Sequence, residues 1–590
     1  MQDNRTASTS SAQTEPAARS QRAGRPIDRR SLVRAAGALS AAGVVAPALA
    51  QVAAAQESSA AADGETGSSE GVKHTWEVAP DPITDIAREE SCDIAIVGAG
   101  FSGVAAADAA AAQGVSVILV EKTEAYAYRG EDVAGINSKW QLEQGIEVDP
   151  DLAAWNLYRW THQTANHDLI SEWAHNCGKV IDYLQEVCEP NGIELHYGMS
   201  STSKVGWDTD DFPELYREYP TPVSFPYSDV DYDASFDSIG DLNHGLMESL
   251  YQSAVSHGAT FEFNTKAEQL VGDAQSGITG VIVTAEDGSH VRINASRGVI
   301  LATGDIAGNP EMIDAWCPIA NRADMRMYTP LGGNTGDGIL MGCWAGAAVQ
   351  RSTAAPMIHQ FCIDSFNFFL DAFIMSWLSV NRNGDRYASE MNFEPYVTNA
   401  RMAQPGNKTW SIFDANWQDN VRRQWPTKAD KWISSVEDGD QISKALDSGY
   451  LIQADTLEEL AEKIGVPTDE FLATVERYNG MCDAGVDTDF QTPERFLSPV
   501  KTAPFYATPV SATVLVIPFG LHVDRNSQVL TDDDDPIPGL FAVGNVQGDF
   551  FAYDYPVQYP GASHSRAITF GHYVGEALAQ GKVITDIMDR

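Results

Sequence analysis

Asp93-Ile94-Ala95-Ile96-Val97-Gly98-Ala99-Gly100-Phe101-Ser102-Gly103 is the stretch whose reading decides the fold. Five residues of strand character run straight into a GxGxxG turn. An alanine-rich helical stretch follows over 104–112, then Gly114 and a second apolar strand, 115–120, that ends in Glu121. The acid stands 23 residues after the first glycine, the spacing of a βαβ unit that binds a dinucleotide. Gly98 permits the tight turn, Gly100 lets the main chain approach a pyrophosphate, and Gly103 lets helix and strand pack closely. The pyrophosphate is expected on the helix N-terminus, where unpaired N–H groups and the helix dipole favour an anion. Glu121 is expected to accept hydrogen bonds from the adenosine ribose.

Upstream, Asp28-Arg29-Arg30-Ser31-Leu32-Val33-Arg34 places paired arginines before an apolar run, 35–50, that ends Ala48-Leu49-Ala50. A basic start, a short apolar run and a small-x-small exit predict a cleaved leader over 1–50. The twin arginines point to the twin-arginine route, which exports folded proteins, so the mature protein is expected outside the cytoplasmic membrane, periplasmic or cell-surface. The run is shorter than the roughly 20 apolar residues that span a bilayer, and no later segment qualifies. Neither a transmembrane segment nor a lipid anchor is expected. Residues 51–71, rich in Ala, Ser, Gly, Gln and Glu, read as a disordered linker.

The first fifty residues carry seven arginines and three acids, so without them the formal charge moves from -43 to -47. Such a surface repels nucleic acid and anionic membrane and suits a basic protein partner. Seven cysteines are scattered with no CxxC and no CxxCH, which leaves iron–sulfur, zinc and covalent haem ligation without support; no metal site is expected.

Near the far end, Gly539-Leu540-Phe541-Ala542-Val543-Gly544-Asn545 reads as a buried strand meeting a Gly-Asn turn. Tyr559-Pro560-Gly561-Ala562-Ser563-His564-Ser565 and a helix follow. Gly298-Val299-Ile300-Leu301-Ala302-Thr303-Gly304 is a second strand-to-turn, and Asn334-Thr335-Gly336-Asp337-Gly338 lies beyond it. With the leading βαβ unit, these segments resemble, in order, the fumarate reductase/succinate dehydrogenase flavoprotein family, which includes the urocanate reductases and 3-ketosteroid dehydrogenases.

The resemblance implies an α/β fold with an α+β cap: a discontinuous Rossmann-like FAD-binding domain over 91–350 and 505–590, with a capping domain inserted at 351–504. It implies that Arg129, Gly130, Gly135 and Asn137 lie along the flavin, that Ala267 meets the adenine, and that Thr303, Gly304 and Asp337 hold the middle of the cofactor. Asn545 stands where the family often has an acid, and Ser563 and His564 approach the flavin ring. Ser102, Lys122 and Gly544 complete the expected cofactor contacts. No histidine lies in the segment 129–135, where succinate dehydrogenases attach FAD covalently, so noncovalent FAD is expected.

Within the cap, 457–464 and 469–478 read as amphipathic helices with Thr456 and Thr468 at their N-caps. The stretch 207–236, aromatic residues among prolines and acids, reads as an ordered surface loop or a flap over the substrate cleft.

Fumarate reductases of this family hold the substrate carboxylates with histidines and arginines and protonate through an arginine. His359 matches the first of those histidines. Counting on from the landmark Asn383-Gly384-Asp385-Arg386-Tyr387-Ala388-Ser389-Glu390, the proton-donor position falls at Glu394, and no arginine occurs before Arg401. Alignment through Thr569-Phe570-Gly571 turns the clamping arginine into Gln558, and the second histidine position falls near Val516. A dicarboxylate is therefore disfavoured: a lost arginine forfeits a charge-assisted pair, and Glu394 repels. Phe361, Phe366, Phe368, Phe369, Phe373 and Trp377 suggest an apolar or aromatic substrate pocket, or ordinary cap core.

Pro395-Tyr396 and Tyr559-Pro560-Gly561 resemble the tyrosine elements of 3-ketosteroid dehydrogenases, with spacings that differ by two residues. Tyr396 is the expected proton donor, Tyr559 or His359 the substrate anchor, and Glu394 a fallback donor. The function expected is reduction of an activated C=C bond in an apolar or aromatic enoate or enone, in anaerobic respiration, with electrons from a cytochrome or quinol-linked donor. The reverse, steroid-like desaturation is one alternative, and a flavin electron carrier without a small-molecule substrate is another; a large cap speaks against the carrier.

Overall fold

The computed structural model describes residues 73–130, 132–197, 219–226, 243–326, 332–361, 370, 375–391, 394–426 and 429–588. The expected leader and linker lie outside these residues. So do most of 207–236, Phe366, Phe368, Phe369 and Phe373, and the side chains of Phe361 and Glu394.

One sheet is built around the opening motif. Its strands run in the order Gln528–Leu530, Pro536–Ala542, His290–Leu301, Ile86–Val97, Val117–Val120, Thr260–Glu262. From Pro536–Ala542 to Thr260–Glu262 every neighbour is parallel. The hairpin of Lys266–Asp273 and Gly277–Thr284 extends the sheet antiparallel from His290–Leu301. Ile94, Ala95, Ile96 and Val97 are all buried, as a strand covered on both faces requires. That strand begins earlier than the apolar run suggests, because residues from Ile86 onward already pair with His290–Leu301.

The helix Phe101–Ala112 is buried from Phe101 to Ala111. Its small side chains let the last long helix, Ala562–Gln580, cross it closely. A Cβ added at Gly571 would stand 2.3 Å from the Ser102 carbonyl oxygen, and one at Gly575 would stand 2.3 Å from that of Ala106.

A second sheet centres on Phe505–Val516, which pairs with Met325–Arg326, Met357–Phe361, Thr409–Asp414 and Ile452–Ala454. Leu378–Asn381 joins through Thr409–Asp414. Segments 351–504 and 505–590 thus both contribute strands to this one sheet. Trp377 belongs to that core: it is buried, stacks on Phe413 at 5.1 Å and donates Nε1–H to the Leu370 carbonyl at 2.8 Å.

Thr456 caps the helix Leu457–Ile464, its hydroxyl accepting the Glu459 amide at 3.1 Å. Thr468 does not cap: it is the first residue of the helix Thr468–Ala484, after Pro467. That helix outruns its expected end at Tyr478, because Tyr478 and Met481 both bury, and it stops where Gly485 turns left-handed at φ 65°. Among the described residues no helix is long and apolar enough to cross a membrane, and no three His, Cys, Asp or Glu stand together as metal ligands.

Candidate functional site

The site begins where the first strand meets its glycines. Gly98 has φ 107°, and a Cβ there would stand 2.5 Å from the Ala302 carbonyl oxygen. A Cβ on Gly103 would reach 1.9 Å from the Gly98 carbonyl oxygen. Both glycines are demanded by protein packing against protein. Gly100 differs: a Cβ there would meet no atom within 4 Å. It immediately precedes Phe101–Ala112 and offers no side-chain cap, so open space adjoins the unpaired N–H groups of the first turn.

Glu121 acts on the same loop. Its Oε2 accepts the Ala99 amide at 2.8 Å, and Oε1 accepts the Thr123 amide and hydroxyl, each at 2.9 Å. Oxygen lone pairs remain for a ribose. Beyond the adjacent strand, Thr303 Oγ1 and Asn334 Nδ2 are buried without a hydrogen-bond partner among the described residues. An unpaired buried polar group costs about 1–3 kcal/mol, so both fit a polar molecule bound here. Gly304, at φ 81°, leaves room for Asn334, whose Oδ1 would lie 2.9 Å from a Cβ.

Lys122 Nζ donates to Thr335 Oγ1 at 2.8 Å and to Asp337 at 2.7 Å. Arg129 pairs at 2.8 Å with the fully buried Asp305. Ala267 is buried opposite Val283 in the hairpin. Gly135 packs on Gln141 and Ile181, each 2.8 Å from its would-be Cβ. Asn137 spends its amide on the Val148 carbonyl and amide, both at 2.8 Å. These two residues brace their segment rather than project a free polar group.

At the other end, Gly544 sits against Ser102, whose Oγ would lie 2.5 Å from a Cβ. Asn545 Oδ1 accepts from Arg566 at 2.6 Å and from Ser563 Oγ at 3.3 Å. Arg566 is 1% exposed and lies between Phe550 and Phe551, with ring centres 5.5 and 4.8 Å away. Burial pushes its pKa down to about 10. No motif marks Arg566; in sequence its one signal is that it is the sole arginine or lysine of the helix Ala562–Gln580.

His564 Nδ1 lies 2.9 Å from the Asp132 carbonyl oxygen, and its ring fills the space beside Gly130. Burial, with Arg129 nearby and against the Asp132 carbonyl, pushes its pKa down to about 4. A carbonyl only accepts, so Nδ1 carries the proton of the neutral ring and Nε2 is an acceptor.

On the second sheet His359 is buried opposite Thr513. The helix Glu394–Met402 packs on that strand and carries Tyr396, whose ring stacks on Trp160 at 5.3 Å and 22°. Asp554 joins the corner, accepting Trp160 Nε1–H on its carbonyl and Asn399 Nδ2–H on its carboxylate, each at 3.0 Å. Further along the same segment, Gln558 is wholly buried, and neither amide atom has a hydrogen-bond partner among the described residues. Tyr559 stacks on Tyr219 at 4.5 Å and donates its hydroxyl to the Ala153 carbonyl at 2.9 Å; the main chain already takes that hydroxyl. Arg401 is buried, bonded to the Val510 carbonyl at 2.8 Å and paired with Asp324 at 2.9 Å.

The model of the family described as FAD binding domain matches residues 93–557. The chain is 27% identical over 577 residues to a 3-oxosteroid 1-dehydrogenase of Mycolicibacterium smegmatis, covering 82% of this chain and 97% of that one. It is 26% identical over 522 residues to a vinyl phenol reductase of Lactiplantibacillus plantarum, covering 84% and 98%. A solved 3-ketosteroid Δ4-(5α)-dehydrogenase from Rhodococcus jostii, in complex with 4-androstene-3,17-dione, matches with a TM-score of 0.64 at 21% identity, over 84% and 98% of the two chains. That last likeness is one of fold.

Proposed function

The chain belongs to the FAD binding domain family, and on that premise we propose that it is an exported oxidoreductase reducing an activated C=C bond in an apolar or aromatic acceptor other than a dicarboxylate. Open space at Gly100, the unpaired Thr303 and Asn334, and the acid at Glu121 fit FAD. Bound there, the flavin supplies hydride exchange with carbon.

The observation that carries the substrate reading is Gln558. The clamp position holds a neutral amide, buried and unpaired, while Arg401 is committed to Asp324 and to the Val510 carbonyl. A second substrate carboxylate buried without a cation is strongly disfavoured.

Tyr396 would give its phenolic proton to the carbon next to the one that receives hydride, and would regain it from solvent. Trp160 holds the ring by stacking. His359 would anchor the acceptor. Tyr559, with its hydroxyl on Ala153, would shape the wall. The likeness to a 3-oxosteroid 1-dehydrogenase favours a second reading, the same chemistry run toward desaturation.

The cofactor region is proposed as 91–350 with 505–590, the cap as 351–504, and the leader as 1–50. Electrons would come from a separate cytochrome or quinol-linked partner. FAD is held noncovalently in this reading. Acid precipitation should leave a colourless pellet and release a flavin that migrates as FAD; yellow retained on the protein would contradict it.

The deciding experiment reduces the protein anaerobically and follows flavin reoxidation by enones, cinnamate-like acids, vinylphenols and fumarate. Apolar or aromatic acceptors should reoxidise it, and fumarate should not. Fumarate turnover near the enzyme median of about 10 per second would overturn the reading.

A further inference from the structure

Gln558 presents a hydrogen-bonding pair with nothing to bind. It is wholly buried, and both Nε2 and Oε1 lack partners. Its main chain is well held, the carbonyl accepting the Tyr219 amide at 2.8 Å. The side chain is therefore fixed at its root and unsatisfied at its tip. Native proteins leave few such groups, and each one needs an explanation. An apolar side chain of the same length would remove the penalty, so the amide is retained against a stability cost.

Resting on the reading above, we infer that the Gln558 amide selects the acceptor's head group: a neutral oxygen function, phenolic hydroxyl or ketone, on an apolar body. The amide N–H donates to that oxygen, and where the head is a hydroxyl the amide oxygen accepts its proton in return. A carboxylate head would gain the N–H donor but meet the amide oxygen, and the neutral amide brings no charge to offset the carboxylate's desolvation. A head-group-free hydrocarbon would leave both amide atoms unpaired.

The test uses FAD-loaded protein and three ligands of one shape: 4-vinylphenol, styrene and 4-vinylbenzoate. Dissociation constants are read from perturbation of the oxidised flavin spectrum, which needs no turnover. Wild type should bind 4-vinylphenol about tenfold tighter than styrene, the size of one well-made hydrogen bond, with 4-vinylbenzoate weakest. Gln558→Met should bring vinylphenol and styrene to near equality. Gln558→Arg should move the preference to 4-vinylbenzoate.

Ligand-free Gln558→Met should also melt above wild type, by about 2 °C, because an unsatisfied buried amide has gone; a purely structural glutamine would lower it. An unchanged vinylphenol-to-styrene ratio in Gln558→Met, or no preference in wild type, overturns the inference. So does loss of FAD from Gln558→Met, since the amide would then serve the cofactor. If the ligands bind as expected but do not reoxidise reduced flavin, the C=C reduction reading fails while the head-group selection stands.

Discussion

Gly100→Val is expected to give a folded protein without flavin. The three motif glycines are not equivalent. A Cβ on Gly103 collides with the Gly98 carbonyl oxygen at 1.9 Å, and one on Gly98 meets the Ala302 carbonyl oxygen at 2.5 Å. Substitution at either should damage the fold itself, because backbone cannot yield cheaply. At Gly100 nothing lies within 4 Å, so the protein tolerates a side chain there and only a ligand's pyrophosphate does not. Gly100→Val should therefore purify with native far-ultraviolet dichroism and essentially no visible flavin absorbance. Its melting temperature should fall only to that of deflavinated wild type, the loss being that of ligand linkage. A yellow Gly100→Val protein would falsify the placement of the pyrophosphate.

Tyr396→Phe should lower substrate-driven flavin reoxidation by about 100-fold or more, the usual size of a general-acid contribution. The substitution keeps the ring, and with it the stack on Trp160 at 5.3 Å, so flavin content and melting temperature should stay near wild type. Tyr559→Phe serves as the contrast. Its hydroxyl bonds the Ala153 carbonyl at 2.9 Å, so its removal should cost about 1 kcal/mol of stability and spare most of the rate. If Tyr396→Phe retains activity while His359→Ala or Glu394→Gln loses it, the donor is His359 or Glu394. Stopped-flow reoxidation with one common acceptor separates these outcomes.

The fold was legible because the residues of its opening unit are forced by geometry that leaves a local mark. A strand, three glycines and an acid at fixed spacing can be read without knowing what surrounds them, and the sheet follows from that unit. The acceptor end depends on long-range neighbours. Tyr559 looked available in sequence, yet its partner is Ala153, far earlier in the chain. The Asn137 amide likewise finds both its partners at Val148, eleven residues on. Arg566 carries no motif because what distinguishes it is burial and pairing, which no spacing rule encodes; Asn334 stands in a motif, but its unpaired amide shows only in the fold. The same holds for the partners of Phe505–Val516: an apolar strand does not announce which sheet it will enter.

Glu121 also bears on how cofactor loading proceeds. Its carboxylate already ties the Ala99 amide and both donors of Thr123, so the glycine loop is ordered by the protein's own bonds. Fixing a residue's backbone forfeits roughly 1–2 kcal/mol of conformational entropy, and each bond that Glu121 makes within the loop offsets part of that loss without drawing on the nucleotide. A nucleotide seated there would add its contacts to a loop already tied at Ala99 and Thr123, so those ties cost its affinity nothing.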